Sequence, residues 1–107
     1  MVVQQYEVVW VNLDPTIGSE IKKTRPCVII SPDEMNNHLD IVIVAPMTSA
    51  SKKYPTRIPT KIDGKLGWIV VDQIRTIDKK RIVKKIQKLS ITEIKKVKEV
   101  IKETFVD

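Results

Sequence analysis

Residues 12–26 read Asn12-Leu13-Asp14-Pro15-Thr16-Ile17-Gly18-Ser19-Glu20 and then, after Ile21, Lys22-Lys23-Thr24-Arg25-Pro26. Carboxylates, hydroxyls and a guanidinium crowd a turn-rich stretch between two apolar runs, where core packing has no use for them. Polar groups concentrated on a loop that a rigid scaffold holds in place are suited to binding and catalysis. What the chain lacks narrows the chemistry. Its one histidine, His38, cannot supply a two-imidazole acid/base pair, and Gly18, Gly64 and Gly67 are too scattered to cradle a phosphate. No acidic cluster has the spacing of a two-metal site. Cys27, the single cysteine, has neither a CxxC partner nor a Cys/His pattern for zinc. An enzyme built from these residues is expected to use no metal and no cofactor, and to work through polar side chains and guanidiniums.

Further polar groups could serve the same end. Thr48-Ser49 follows an apolar run, Lys53 and Tyr54 sit in the segment 51–55 beside Lys52, and Gln73 lies in the block Asp72-Gln73-Ile74-Arg75-Thr76. Lys22, Lys23 and Arg25 form one local basic cluster; Lys52, Lys53 and Arg57 form another. Single-stranded nucleic acids are bound by charge together with stacking surfaces. Of five aromatic residues, Tyr54 is the one that combines a ring with adjacent cations, whereas Trp10, Trp68 and Phe105 fit a core or an interface between subunits. Each group also has a plainer reading. Arg25-Pro26 can simply open a strand, Glu20 can pair with Lys22 or Lys23 at the surface, and Thr48-Ser49 can cap a turn. Net charge does not separate these readings. Residues 1–78 carry nine basic and nine acidic residues, and the excess of six lies wholly in residues 79–107, with ten basic against four acidic. A Lys-rich helix there is explained by solvation of one face alone.

A chain of 107 residues fits one domain with its own core, residues 1–107. Short β-branched runs punctuated by turn signals fill the first two thirds, the pattern of a small antiparallel sheet or barrel. Strands are expected over residues 6–13, 26–30, 39–45, 56–60 and 66–74. The first has Val9, Val11 and Leu13 on one face and Val8, Trp10 and Asn12 on the other. Residues 39–45, the most apolar, belong at the centre of the sheet, and Pro59 confines its strand to an edge. Residues 32–37 read as a loop and 63–65 as a turn. A short helical turn from Asp78 and a strand over 83–86 follow. Ser90 and Glu93 form a capping box, with Leu89 and Ile94 as its hydrophobic staple, so a helix starts there. Ile94, Val97, Val100, Ile101 and Phe105 recur at helical spacing as a stripe to pack on the sheet. Residues 1–5 have no leader character, and no run approaches the roughly 20 apolar residues of a membrane span. A soluble, cytoplasmic chain with no membrane partner is expected.

Four ordered blocks carry a resemblance to a known family: VNLDPTIGSE at 11–20, KKTRPCVIIS at 22–31, APMTS at 45–49 and VDQIRT at 71–76. Together they resemble the MazF/PemK toxins of type II toxin-antitoxin systems. The resemblance implies a mainly β fold with a C-terminal helix, a small SH3-like plug-in barrel, acting as a homodimer. It also implies a sequence-specific, metal-independent endoribonuclease, an mRNA interferase, that cuts single-stranded RNA to 2′,3′-cyclic phosphate and 5′-hydroxyl ends. A cognate antitoxin would neutralise it. The family's catalytic arginine falls on Arg25, its threonine on Thr48 and its acidic loop position on Glu20. Ser19, Lys22, Lys23, Ser49, Lys53, Tyr54 and Gln73 are the expected RNA contacts. Some relatives carry histidine where this chain has Thr24, so no imidazole role is carried over. Two rival readings keep the fold: a toxin that inhibits DNA gyrase by binding, and a non-catalytic RNA-binding barrel.

Overall fold

The structure, a computed structural model, describes residues 1–15, 17–20, 23–50 and 53–106. Among them lie seven strands: β1 Glu7–Asn12, β2 Thr24–Ile29, β3 Ile41–Thr48, β4 Arg57–Ile62, β5 Lys65–Val70, β6 Arg75–Asp78 and β7 Ile82–Lys88. All pair antiparallel in the order β4-β5-β3-β2-β1-β7, with β6 added to β3. The result is a mainly β half-barrel sheet with a C-terminal helix, as the sequence predicts.

β1 shows how the pattern builds two cores. Val9, Val11 and Leu13 join Cys27, Ile29, Val42 and Val44 in one buried cluster, while Val8 joins Val28, Ala45, Met47, Ile58 and Ile69 in another. The two-faced apolar alternation thus covers both sides of the sheet. Each fully buried Val, Leu or Ile contributes roughly 1.5–3 kcal/mol. Helix α2, Ile91–Ile101, closes the second cluster with Val97 and Val100. Its capping box is complete: Ser90 Oγ accepts from the Glu93 N–H at 3.1 Å, and Ser90 N–H donates to Glu93 Oε1 at 2.8 Å. Thr60 Oγ1 donates to the other Glu93 oxygen and ties the helix to β4. Burial alone would raise the Glu93 pKa, but the hydrogen bonds from Thr60 and Ser90 outweigh it and lower it.

β3 is central, pairing with β2, β5 and β6. β4 ends the sheet, where Pro59 and its missing N–H are tolerated. Asp63 and Gly64, with φ of 51° and 76°, join Ile62 to its partner Lys65 in a tight hairpin. Two positive φ values give that turn the hand that suits the twist of paired strands.

Three expectations need correction. Residues 32–37 are not a loop: Asp33–His38 forms a short helix, α1, with Asp33 and Glu34 at its positive N-terminal end. Buried Asn36 bonds Ser31 twice, which anchors it, and His38 therefore lies on a helix. Residues 66–74 are not one strand. A 3-10 turn at Val71–Gln73 ends β5, which pairs with β3 at Met47 and Thr48, and moves the chain to β6, which pairs at residues 41–44. Phe105 leaves the apolar stripe. It is 57% exposed on a π-helical extension, Lys102–Val106, because the changed period turns it off the packed face. No described helix is long and apolar enough to cross a membrane.

Candidate active site

Strand alternation puts Arg25 on the face of β2 that carries Cys27, and Thr48 on the face of β3 that carries Pro46. The β2–β3 ladder runs Ile29↔Val44, Val28↔Ala45 and Cys27↔Pro46, then stops. Two residues further on, this register sets Arg25 opposite Thr48. The prolines at 26 and 46 have no N–H to donate there, which favours an end to the pairing at this point. β3 instead turns to β5, with Met47↔Ile69 and Thr48↔Trp68. A cavity of about 300 Å³ fills the wedge between β2 and β5, and Arg25, Thr48 and Ser49 all line it, with Thr24, Trp10, Met47 and the β4–β5 hairpin. Thr48 Oγ1 accepts from the Ala50 N–H at 3.2 Å. The turn-capping role is therefore real, and it leaves the hydroxyl hydrogen available to an incoming acceptor.

The loop before Arg25 is held by groups distant in sequence. Arg81 Nη1 donates to the carbonyls of Asn12 at 3.2 Å and Asp14 at 2.5 Å, and Arg75 Nη1 to that of Leu13 at 3.3 Å. The Lys23 N–H donates to Asp14 Oδ1 at 2.9 Å, and Leu13 N–H to Lys23 O at 3.0 Å. Lys23 takes a φ of 71°, a strained value for a side chain with Cβ, two residues before Arg25. Arg75 and Arg81 were not among the expected site residues. Arg81 follows Lys79 and Lys80 in the short helical turn expected from Asp78, and nothing local in the sequence marks its bonds to residues 12 and 14.

Glu20 lies elsewhere. Its Oε1 accepts from the Ile17 N–H at 2.8 Å, bracing the turn that contains Gly18. It lines a second recess, of about 270 Å³, with Pro46, Asp72, Gln73, Ile74 and Arg75. Gln73 thus meets Glu20 rather than the Arg25–Thr48 cavity. Arg57 forms a two-pronged pair with Asp72, Nε–Oδ1 at 3.3 Å and Nη2–Oδ2 at 3.2 Å, and Thr56 Oγ1 donates to Asp72 Oδ1 at 2.7 Å. Burial would raise the Asp72 pKa; the Arg57 and Thr56 hydrogen bonds and the Arg57 charge bring it below the ordinary value. Burial pushes the Cys27 thiol up to about 12, even against the lowering effect of the Arg75 and Arg25 charges, which marks two guanidiniums near this face of the sheet. Ser19, Lys23, Lys53 and Tyr54 are exposed, the Tyr54 side of the chain being held by Arg57 N–H to Tyr54 O at 3.0 Å. Lys22 and Lys52 lie outside the described residues. Among the described residues no three His, Cys, Asp or Glu are grouped to hold a metal ion.

Comparison with known proteins places this geometry in context. Residues 4–105 match the family described as PemK-like, MazF-like toxin of type II toxin-antitoxin system. Over 71 residues, 66% of this chain and 64% of the relative, the sequence is 35% identical to the endoribonuclease toxin MazF of Escherichia coli K12. The match spans a little under two thirds of that relative's length. The crystal structure of MazF from Deinococcus radiodurans superimposes with a TM-score of 0.88 at 23% identity, covering 100% of this chain and 99% of that one. An endoribonuclease from a mycobacterial species, in complex with its cognate antitoxin, superimposes with a TM-score of 0.82 at 16% identity, covering 97% and 95%. At those identities the two structural matches establish the fold.

Proposed function

Because the chain belongs to the PemK-like, MazF-like toxin family of type II toxin-antitoxin systems, we propose that it is an endoribonuclease that cuts single-stranded RNA. The observation that carries this reading is the meeting of Arg25 and Thr48 on one cavity, where the β2–β3 ladder ends. In the proposed reaction the ribose 2′-oxygen attacks the adjacent phosphorus. A 2′-O–P bond forms and the P–5′-O bond breaks, leaving a 2′,3′-cyclic phosphate and a 5′-hydroxyl. The 2′ proton passes to a base, and the departing 5′-oxygen takes up a proton.

Arg25 offers a planar set of donors matched to a phosphate, and its pKa above about 12 makes it a poor proton acceptor. It therefore holds the phosphate and the charge that gathers on it, a task that in other enzymes falls to a metal ion. The Thr48 hydroxyl donates to a non-bridging oxygen, a contact of roughly 3 kcal/mol when it strengthens in the transition state. Ser49 adds a second hydroxyl beside it. Glu20, committed to the Ile17 N–H and lining the neighbouring recess, acts on this geometry mainly by ordering the turn in the loop before Arg25. Ser19, Lys23, Lys53, Tyr54 and Gln73 flank the RNA path, and Lys22, outside the described residues, is assigned to RNA contact from the sequence alone. By analogy with the mycobacterial endoribonuclease solved with its cognate antitoxin, a cognate antitoxin binds this chain; as the family resemblance implies, the working unit is a homodimer acting on cytoplasmic mRNA.

Purified protein incubated with a long transcript in excess EDTA tests the proposal. Discrete cleavage with cyclic-phosphate ends that disappears in Arg25→Ala is the expected result; no cleavage, or cleavage that survives that change, overturns it.

A further inference from the structure

The cavity beside Arg25 and Thr48 is larger than a phosphate needs, and most of its lining is apolar. At about 300 Å³ it falls at the small end of ligand pockets, which run from about 300 to 1,000 Å³. We infer that it is a slot for one nucleobase of the substrate strand, adjacent to the cleaved phosphate, with Trp10 as its stacking surface and Gly67 setting its size. The inference rests on the endoribonuclease reading and deepens it.

Four observations point this way. Trp10 sits opposite Pro26 across the β1–β2 ladder, both half-buried, and both line the cavity, so one wall is a ring and a proline surface. Leu66, 56% exposed, lines the cavity from the hairpin after β4, an apolar side chain held in water where no core covers it. Gly67 lines it too, at an ordinary φ, so the backbone does not require glycine there. A Cβ at that position would lie 3.4 Å from Met47 Cε and 3.6 Å from the Thr48 carbonyl oxygen, in ordinary contact with two of the cavity's own walls, so a side chain there would extend into the cavity. The missing side chain leaves this space open. Finally, Arg25, Thr48 and Ser49, a cationic and two hydroxyl-bearing residues, are among the residues that line the same cavity. Flat apolar walls joined to cationic and hydroxyl groups match a nucleotide, which presents a π face and an anionic phosphate.

The test uses Trp10 emission, with Trp68→Phe as the parent so that one tryptophan reports. A short single-stranded RNA should quench Trp10. Gly67→Val, which fills the slot, and the surface change Leu66→Ala, which threatens the fold little, should each weaken that RNA binding roughly tenfold, the scale of one lost base stack. Cleavage ends mapped on a long transcript should shift with Gly67→Val toward sites with a smaller flanking base. If the RNA is cut but Trp10 emission does not change, or both variants keep the parent affinity and cleavage sites, the slot is overturned and the nuclease reading stands. Quenching without cleavage in the parent leaves the slot as a nucleotide site and removes the nuclease reading. Trp10 emission that changes with protein concentration alone, and not with RNA, assigns the cavity to a second copy of the chain and overturns the inference.

Discussion

Cys27 and Pro46 are the last partners of the β2–β3 ladder, and the register beyond them sets Arg25 opposite Thr48. A sheet that stayed paired there would have sealed the wedge and left both side chains as surface decoration. The first prediction follows from that opening. Thr48→Ala should lower kcat for RNA cleavage by roughly 100- to 1,000-fold, as for loss of one preorganised donor to developing charge, with little change in KM. Arg25→Lys should keep the charge and still lose most activity, because an ammonium cannot match the phosphate with two parallel donors. Single-turnover kinetics on a defined oligonucleotide separates these effects from binding.

Asp72 carries a pH prediction. Its folded pKa lies below the unfolded value, ordinarily about 3.9, so its pairing with Arg57 and Thr56 contributes stability above that value. The contribution fades as pH falls below about 4 and through the folded pKa. The pair is partly solvated, with side-chain exposures of 27% and 34%, so its worth is under about 1 kcal/mol. Asp72→Asn should therefore lower Tm slightly at pH 7, and the parent and variant curves should converge as pH falls through the folded pKa. Thermal melts between pH 2.5 and 7 would reveal a gap that does not close, contrary to this account.

The Cys27 thiol gives a direct check on the core. With its pKa pushed up to about 12 in a fully buried position, it should resist a thiolate-selective reagent at pH 8 in the native protein. It should react fully in denaturant. Rapid labelling of the native chain would mean that β2 opens readily.

Much of this arrangement was legible in the chain. The alternation in β1, the edge position implied by Pro59 and the Ser90–Glu93 box are local signals, and each reads the same in sequence and structure. The family blocks put Arg25 and Thr48 in one expected site, and both line one cavity; no periodicity brings residue 25 to residue 48. What escaped was long-range. The Arg81 bonds to the carbonyls of Asn12 and Asp14 cross 69 and 67 residues. The break after Val70 arises because β5 and β6 pair with different parts of β3, a tertiary demand that the apolar run over 66–74 does not announce. Trp10 read as a core or interface residue, and its place on the cavity depends on where the ladder stops.

Arg81 should accordingly behave as a loop clamp. Replacing it with Met removes bonds to two carbonyls, each charge-assisted contact being worth about 1.5–3 kcal/mol at most and less where exposed. Cleavage should fall through both kcat and KM, and the Lys23 amide, bonded to Asp14 Oδ1, should exchange faster while amides of α2 keep their protection. Hydrogen exchange that accelerates uniformly would instead indicate global destabilisation.

Glu20 decides between two accounts of proton transfer. As general base it would contribute roughly 100- to 10,000-fold, and Glu20→Gln would abolish that part. In the structure its Oε1 accepts from the Ile17 N–H, and a glutamine oxygen can accept the same bond. Glu20→Gln should then cleave within a few-fold of the parent, whereas Glu20→Ala, which leaves the turn without its brace, should be clearly slower.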